Sequence, residues 1–219
     1  AQVSGGEIVA VIGPNGAGKS TFLKALAGLV PISGGEVLLG GRPVAGLPTH
    51  ELIASGLAFV PQTGNVFTTL TIHENLMVGG HTVGTALRRR LDAAYGLFPA
   101  LAEKRGQRAR VLSGGQRQML AIARALMTEP SVIMLDEPTA GLSPKIVGEV
   151  FADLRRLAQS GVAVFMVEQN AKAALRISDR GYVLADGENR FEGAAAALLD
   201  DPAVGEAFLG ARKAGTGGH

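Results

Sequence analysis

A chain of 219 residues, 47% of them hydrophobic, is long enough for one sizeable core with room for a smaller subdomain. Its 21 Lys and Arg against 19 Asp and Glu leave a net charge of +2, too even for a nucleic-acid-binding surface, and the absence of cysteine excludes a disulfide framework and thiolate metal sites. No apolar run approaches the roughly 20 residues that cross a bilayer, and no signal-peptide pattern opens the chain, so the expectation is a soluble cytoplasmic protein.

In chain order, the short apolar run Glu7 to Ile12 between glycines predicts a buried strand. Ser20 to Leu29 places Phe22, Leu23, Leu26 and Leu29 on one helical face, with Pro31 beyond its stop. EVLLGG (36–41) and LAFV (57–60) predict strands, separated by a brief helix over 49–55 that Gly56 ends. From residue 63 to 129 the pattern is mostly helical. Thr71 with Glu74, and Ser113 with Gln116, carry the spacing of capping boxes, and each opens a helix. Ala86 to Tyr95 reads as a helix between them. Strand texture returns at Val132 to Leu135. Ser143 then caps a helix with Pro144 at its first position and an apolar stripe from Ile146 to Leu157. Gly161 ends it before the strand VAVFMV (162–167). A helix through Ala173, Ala174 and Ile177 leads to GYVLADGENRF, whose Asp186-Gly187 pair predicts a hairpin turn, and two short helices and a disordered tail at Gly215 to His219 close the chain. Apolar strands alternating with helices predict an α/β fold with a mainly parallel sheet covered on both faces. The interruption divides it into a core, 1–62 with 130–219, and an inserted helical subdomain, 63–129.

GPNGAGKS (13–20) fits the phosphate-cradling loop G-x-x-x-x-G-K-[ST], with the strand before and the helix after that the motif demands. Gly13, Gly16 and Gly18, with Pro14, Asn15 and Ala17 between them, let backbone N–H groups turn toward phosphate oxygens at the positive end of a helix. In this reading Lys19 reaches the β- and γ-phosphates, Ser20 places its hydroxyl on Mg²⁺, and Thr21 reaches the α-phosphate. A P-loop needs an acidic partner at another strand tip. In VIMLDE, Asp136 can hold Mg²⁺ through water and Glu137 can polarise the attacking water. Taken alone, an Asp-Glu pair after a strand is equally an ordinary helix start; beside GPNGAGKS the ATP reading prevails. LSGGQRQ (112–118) supplies a second anion site, because Ser113, Gly114 and Gly115 occupy the first turn of a helix. Two phosphate-binding helix starts with only one P-loop lysine suggest ATP sites shared between two subunits.

Across nearly its whole length the chain resembles the ATP-binding cassette (ABC) ATPases, a P-loop NTPase family with a RecA-like core. GPNGAGKS resembles the Walker A motif, FVPQ (59–62) the Q-loop, LSGGQ the family signature and VIMLDEP (132–138) the Walker B motif. The resemblance implies a head-to-tail dimer in which ATP lies between one subunit's Walker A and, in trans, the other's Ser113, Gly114, Gly115 and Gln116. It makes Lys19, Glu137 and the switch position Gln169 the catalytic set, and adds Gln62 to Ser20 and Asp136 around Mg²⁺. Most of the family has histidine at the switch; the Gln169 amide can donate a hydrogen bond to the γ-phosphate but carries no proton charge.

AGLSP (140–144), VEQNA (167–171), SDRGYVLADG (178–187), VFTTLTIHENLMVG (66–79) and the tail DPAVGEAFLG (201–210) resemble one branch, the LivF-type ATPase of branched-chain amino acid importers. Importers of urea, other amides or other amino acids use similar ATPases. The branch implies two membrane-spanning permease subunits, a second ABC ATPase of LivG type or a second copy of this chain, and, indirectly, a periplasmic binding protein. It places the chain peripherally on the cytoplasmic face of the inner membrane; Thr63 to Met77, which follows Gln62 directly and would move with it, is the expected docking segment. Ser143 stands where many members have aspartate. The sequence opens at AQVSGGE, already beside the Walker A strand, so the adenine contact that an earlier strand supplies in the family is left unassigned, and Tyr95 and Tyr182 lie in the wrong places for it. Lys104, Arg105, Arg108 and Arg110 read as a solvated face or, in the sharper alternative, as a contact with lipid headgroups or a coupling helix of the membrane subunits.

Overall fold

The structure, a computed structural model, describes residues 1–205. Its strands are β1 (Ile8–Ile12), β2 (Leu38–Leu39), β3 (Arg42–Pro43), β4 (Leu57–Val60), β5 (Val132–Asp136), β6 (Ala163–Glu168), β7 (Arg180–Ala185) and β8 (Glu188–Ala194). Its helices are α1 (Lys19–Leu26), α2 (Thr49–Ala54), α3 (Ile72–Gly79), α4 (Leu87–Leu97), α5 (Pro99–Glu103), α6 (Gly114–Leu126), α7 (Pro144–Gln159), α8 (Ala171–Ile177) and α9 (Ala195–Asp200). Six strands form the main sheet in the order β4-β5-β6-β1-β7-β8, parallel except for β8. Four strands that are distant in sequence thus run side by side, and the carboxyl ends of β4, β5, β6 and β1 form one continuous edge.

Alternation along the strands divides the core into two layers. Ile8, Ala10, Ile12, Ile133, Leu135, Val164 and Met166 face one side, packed with residues of α3 to α9. Val9, Val11, Val132, Met134, Phe165 and Val167 face the other, against Leu23 of α1 and Leu52 of α2. Strands apolar on both faces are what a parallel sheet covered by helices requires. Helices α3, α5 and α6 contribute Ile72, Leu76, Leu101 and Leu120 to the first layer, so the segment 63–129 is packed into the same core as the sheet.

The capping boxes at Thr71 and Ser113 are both formed. Asp186 and Gly187 turn the β7–β8 hairpin at φ 52° and 78°, the left-handed pair that such a turn needs. Other expectations are corrected. The first helix stops at Leu26, three residues early. Gly28, at φ 70°, forms a Schellman cap in which its N–H reaches Ala25 O and that of Leu29 reaches Lys24 O, and Leu29 is left 51% exposed. EVLLGG yields only the two residues of β2, which fold back on β3 through Gly40 and Gly41, both at positive φ, as a hairpin outside the main sheet. Ser143 occupies the N-cap position of α7, but its side chain makes no capping bond. Strands β5 and β6 each run one residue further than their apolar letters, to Asp136 and Glu168. Residues 202–205 are helical; the rest of that expected second helix, part of the DPAVGEAFLG match and the tail at 215–219 lie outside the described residues. No helix among the described residues is long and apolar enough to cross a membrane.

Candidate active site

The loop from Gly13 to Gly18 leaves β1 at the centre of the strand edge. Gly13 passes so close to β7 that a Cβ there would lie 2.2 Å from Leu184 O, and Gly16 and Gly18 take positive φ. Ala17 N–H closes the turn on Pro14 O at 3.2 Å, and Phe22 N–H picks up Gly18 O at 2.8 Å as α1 begins. The Lys19 ammonium folds back over this loop, donating to the carbonyls of Gly13 (2.9 Å) and Pro14 (3.1 Å). Burial pushes its pKa below the usual lysine range, and the carboxylates of Glu137, Glu168 and Asp136 pull it back up.

The neighbouring strands deliver the acidic partners. Asp136, buried at the end of β5, accepts the Ser20 hydroxyl at 2.7 Å. Glu137 follows at φ 46°, a left-handed conformation uncommon for a residue with a side chain, and its N–H bonds Val167 O of β6 at 3.0 Å. Its carboxylate accepts from the Gln62 amide at 3.0 Å, so the loop after β4 meets the loop after β5. The structure therefore brings together Lys19, Ser20, Gln62, Asp136 and Glu137, whose outermost members stand 118 positions apart in the chain (19 to 137).

Glu168, which the sequence reading left without a role, joins this cluster. It is 2% exposed, pairs with Ile12 at the root of the phosphate loop, and accepts from the Thr139 hydroxyl (2.7 Å) and N–H (3.0 Å). Burial raises its pKa, the Thr139 bonds oppose the rise, and Glu137 adds to it. Gln169, next in the chain, is exposed at the tip of β6, and its N–H donates to Glu168. Asn170 caps α8 through Ala173 N–H. The signal for Glu168 was an acidic letter directly after an apolar strand, the same signal as Asp136.

The second predicted anion site stands apart. Ser113 and Gln116 satisfy each other across the first turn of α6, and Lys104 donates to Gln116 at 3.4 Å. Gly114 and Gly115 lie under α7 and the loop before it: a Cβ would come 2.8 Å from Leu142 and 2.2 Å from Ile146. Among the described residues, no hydrogen bond joins Ser113, Gly114, Gly115 or Gln116 to Lys19, Ser20, Asp136, Glu137 or Gln62. Tyr182 is engaged with Gln2 and Arg180, and Tyr95 with His73.

A glycine loop between strand and helix, a lysine over it and two acids at the tip of β5, one strand removed from β1, define a P-loop nucleotide-binding protein. Residues 1–140 match the model of the ABC transporter family. The chain belongs to that family, and it is one of its ATPases. It is 44% identical to the high-affinity branched-chain amino acid transport ATP-binding protein BraG of Pseudomonas aeruginosa, over 95% of this chain and 90% of that protein. It is likewise 44% identical to the probable branched-chain amino acid transport ATP-binding protein LivF of Archaeoglobus fulgidus, over 91% and 86%. The lipopolysaccharide export system ATP-binding protein LptB of Escherichia coli is 33% identical over 95% and 88%. Among solved structures, the ADP conformation of MJ1267, an ATP-binding cassette of an ABC transporter, superimposes with a TM-score of 0.84 at 28% identity, over 95% of this chain and 89% of that one.

Proposed function

We propose that this chain is the ATP-hydrolysing subunit of an importer for branched-chain amino acids. The choice of cargo rests on one observation: identity of 44% to two proteins named for that transport, against 33% to the E. coli LptB. The chemistry rests on the convergence of Lys19, Ser20, Asp136, Glu137 and Gln62 on one strand edge.

The loop N–H groups and Lys19 receive the β- and γ-phosphates, and Thr21 the α-phosphate. For the ammonium to do so it must exchange the Gly13 and Pro14 carbonyls for phosphate oxygens. Asp136 holds the Ser20 hydroxyl, and the hard oxygens of Ser20, Asp136 and Gln62 suit Mg²⁺, which keeps phosphate and water among its ligands. Bound there, Mg²⁺ would offset the charge of the β- and γ-phosphates. Glu137 accepts the proton of the attacking water, once Gln62 has released its carboxylate. Gln169 donates its amide to the γ-phosphate. Ser113, Gly114, Gly115 and Gln116 serve the ATP of a partner subunit, either a second copy or a LivG-like ATPase, and residues 63–129 form the helical subdomain that carries them. The exposed Phe67, Met77 and Val78, on and just beyond the segment after Gln62, offer an apolar face to two membrane-spanning permease subunits. A periplasmic binding protein on the far side and a place on the cytoplasmic face of the inner membrane complete this assignment.

Glu137→Gln tests the chemistry. Phosphate release should fall about 10²- to 10⁴-fold, the usual worth of a general base, while binding of a fluorescent ATP analogue stays within about twofold. Undiminished turnover would remove Glu137 from the mechanism. Mass spectrometry of proteins recovered with the tagged chain from native membranes tests the assembly; recovery without permease subunits would overturn it.

A further inference from the structure

Between the end of β4 and the start of α3 lie eleven residues with almost no regular structure, Gln62 among them. Two buried amides hold this segment. Asn75 of α3, fully buried, donates to the carbonyls of Phe67 (3.0 Å) and Thr71 (2.9 Å) and accepts from Phe67 N–H (2.8 Å). Asn65 donates from one nitrogen to Pro61 O (3.2 Å) and to Gln118 Oε1 (3.0 Å). Pro61 O can only accept, so the nitrogen of Asn65 must face it. The second hydrogen of that nitrogen then fixes Gln118 with its oxygen inward.

Gln118 lies one turn beyond Gly114 on α6, on the same side of the helix. The rest of the segment is already fastened to the stretch that precedes the signature. Arg110 N–H bonds Thr68 O (3.0 Å), Ala109 N–H bonds Leu70 O (2.8 Å), Ile72 N–H bonds Gln107 O (3.0 Å) and His73 N–H bonds Arg105 O (3.0 Å). Residues 67–73 therefore move with 105–110 and α6. The slack that remains is the short stretch 61–66, which holds Gln62 and Gly64 at φ 65°. Asn65 closes that stretch on itself through Pro61 and ties it to Gln118.

We propose that Asn65 and Gln118 are positioning residues that couple Gln62 of one ATP site to the signature turn serving the other. A displacement of Gln62, as when it leaves Glu137 for a bound nucleotide, cannot be absorbed by the loop while the clasp is closed. It passes through Asn65 and Gln118 to the first turn of α6. The proposal rests on the assignment of Gln62 and Ser113 to Gln116 to ATP sites made above. Neither side chain is hydrogen-bonded to Lys19, Ser20, Asp136 or Glu137, so their loss should spare binding and slow turnover.

The test is a double-mutant cycle on the full-length protein in the complex in which it is purified. Asn65→Ala and Gln118→Ala should each lower kcat about tenfold, within the usual span of coupling between sites, and leave the affinity for a fluorescent ATP analogue within about twofold. The double variant should be no slower than either single one, because one link is broken in all three. Gln118→Met keeps the side-chain volume and removes the amide with its acceptor; it should reproduce the effect with the melting temperature retained. Wild-type kcat in Gln118→Met, or losses that multiply in the double variant, would overturn the clasp. Lys19→Ala, run alongside, separates the two claims. If it abolishes analogue binding while the clasp variants turn over normally, the clasp is wrong and the ATP site stands. If it binds the analogue normally, the site assignment falls and the clasp with it.

Discussion

Glu168 is a carboxylate kept in a place that disfavours its charge. Burial raises its pKa above the ordinary 4.5, and the two bonds from Thr139 and the backbone of Asn170 oppose the rise. An acid whose folded pKa lies above its unfolded one binds more protons in the folded state. The stability it contributes is therefore complete below about the ordinary carboxylate range and is lost as pH rises through the raised folded value. Glu168→Gln keeps an acceptor for Thr139 and removes the titration. Chemical unfolding of the two proteins across pH 4 to 8, a span chosen on roughly that range, should show the wild type losing ground to the variant as pH rises. A constant difference would mean that Glu168 titrates as in the unfolded chain. The same residue marks a limit of sequence reading. Its partner Thr139 stands 29 positions away, and nothing local in VEQNA (167–171) announces that bond. Lys19 and Ser20 were legible because the phosphate loop is a local motif whose spacing already encodes its geometry, and Asp136, 116 positions from Ser20, because an acid ends a separate apolar strand. The Asn65–Gln118 link, 53 positions apart, was not.

At the scale of elements, local chemistry was read well where it is local. Both capping boxes, the Pro144 start of α7 and the Asp186-Gly187 turn form as their letters indicate. Readings failed where apolar letters had two uses. Leu29 continues the helical stripe of α1, yet Gly28 ends the helix one residue before it. EVLLGG has strand letters, yet its two glycines bend it into a separate hairpin. The signature shows how an element can constrain a motif for packing as well as chemistry. Gly115 at the start of α6 faces Ile146 of α7 at a distance that no Cβ could occupy. Gly115→Ala forces the two helices apart. It should destabilise the protein by about 1–3 kcal/mol, as overpacking in a filled core does, and lower the melting temperature by several degrees even without nucleotide. An unchanged melting temperature would show that Ile146 yields freely. The glycine would then be required by the ligand alone.

Across the whole molecule, the two anion-binding turns proposed for ATP lie apart. The phosphate loop, both acids of the β5 tip and Gln62 converge within one chain, whereas the first turn of α6 offers its N–H groups on a different part of it, without a lysine or carboxylate of the first cluster bonded to it. A second copy, related by two-fold symmetry, would bring each signature to the other's phosphate loop, as a self-complementary interface does. This can be tested by mixing two inactive chains. Lys19→Ala disables a phosphate loop, and Gly114→Asp sets a carboxylate against the phosphates and a side chain against Leu142. In a mixed dimer with shared sites, both lesions fall in one site and the other site is assembled from intact halves. Random mixing in equal amounts should then restore up to about a quarter of wild-type phosphate release, although each variant alone releases almost none. With sites confined to single chains, every site in the mixture carries a lesion and nothing is restored. Restoration would also show that two copies of this chain suffice for hydrolysis. Its absence, with activity returning only when a different ATPase subunit is added, would make the working pair heteromeric and assign each of its two sites to unlike chains.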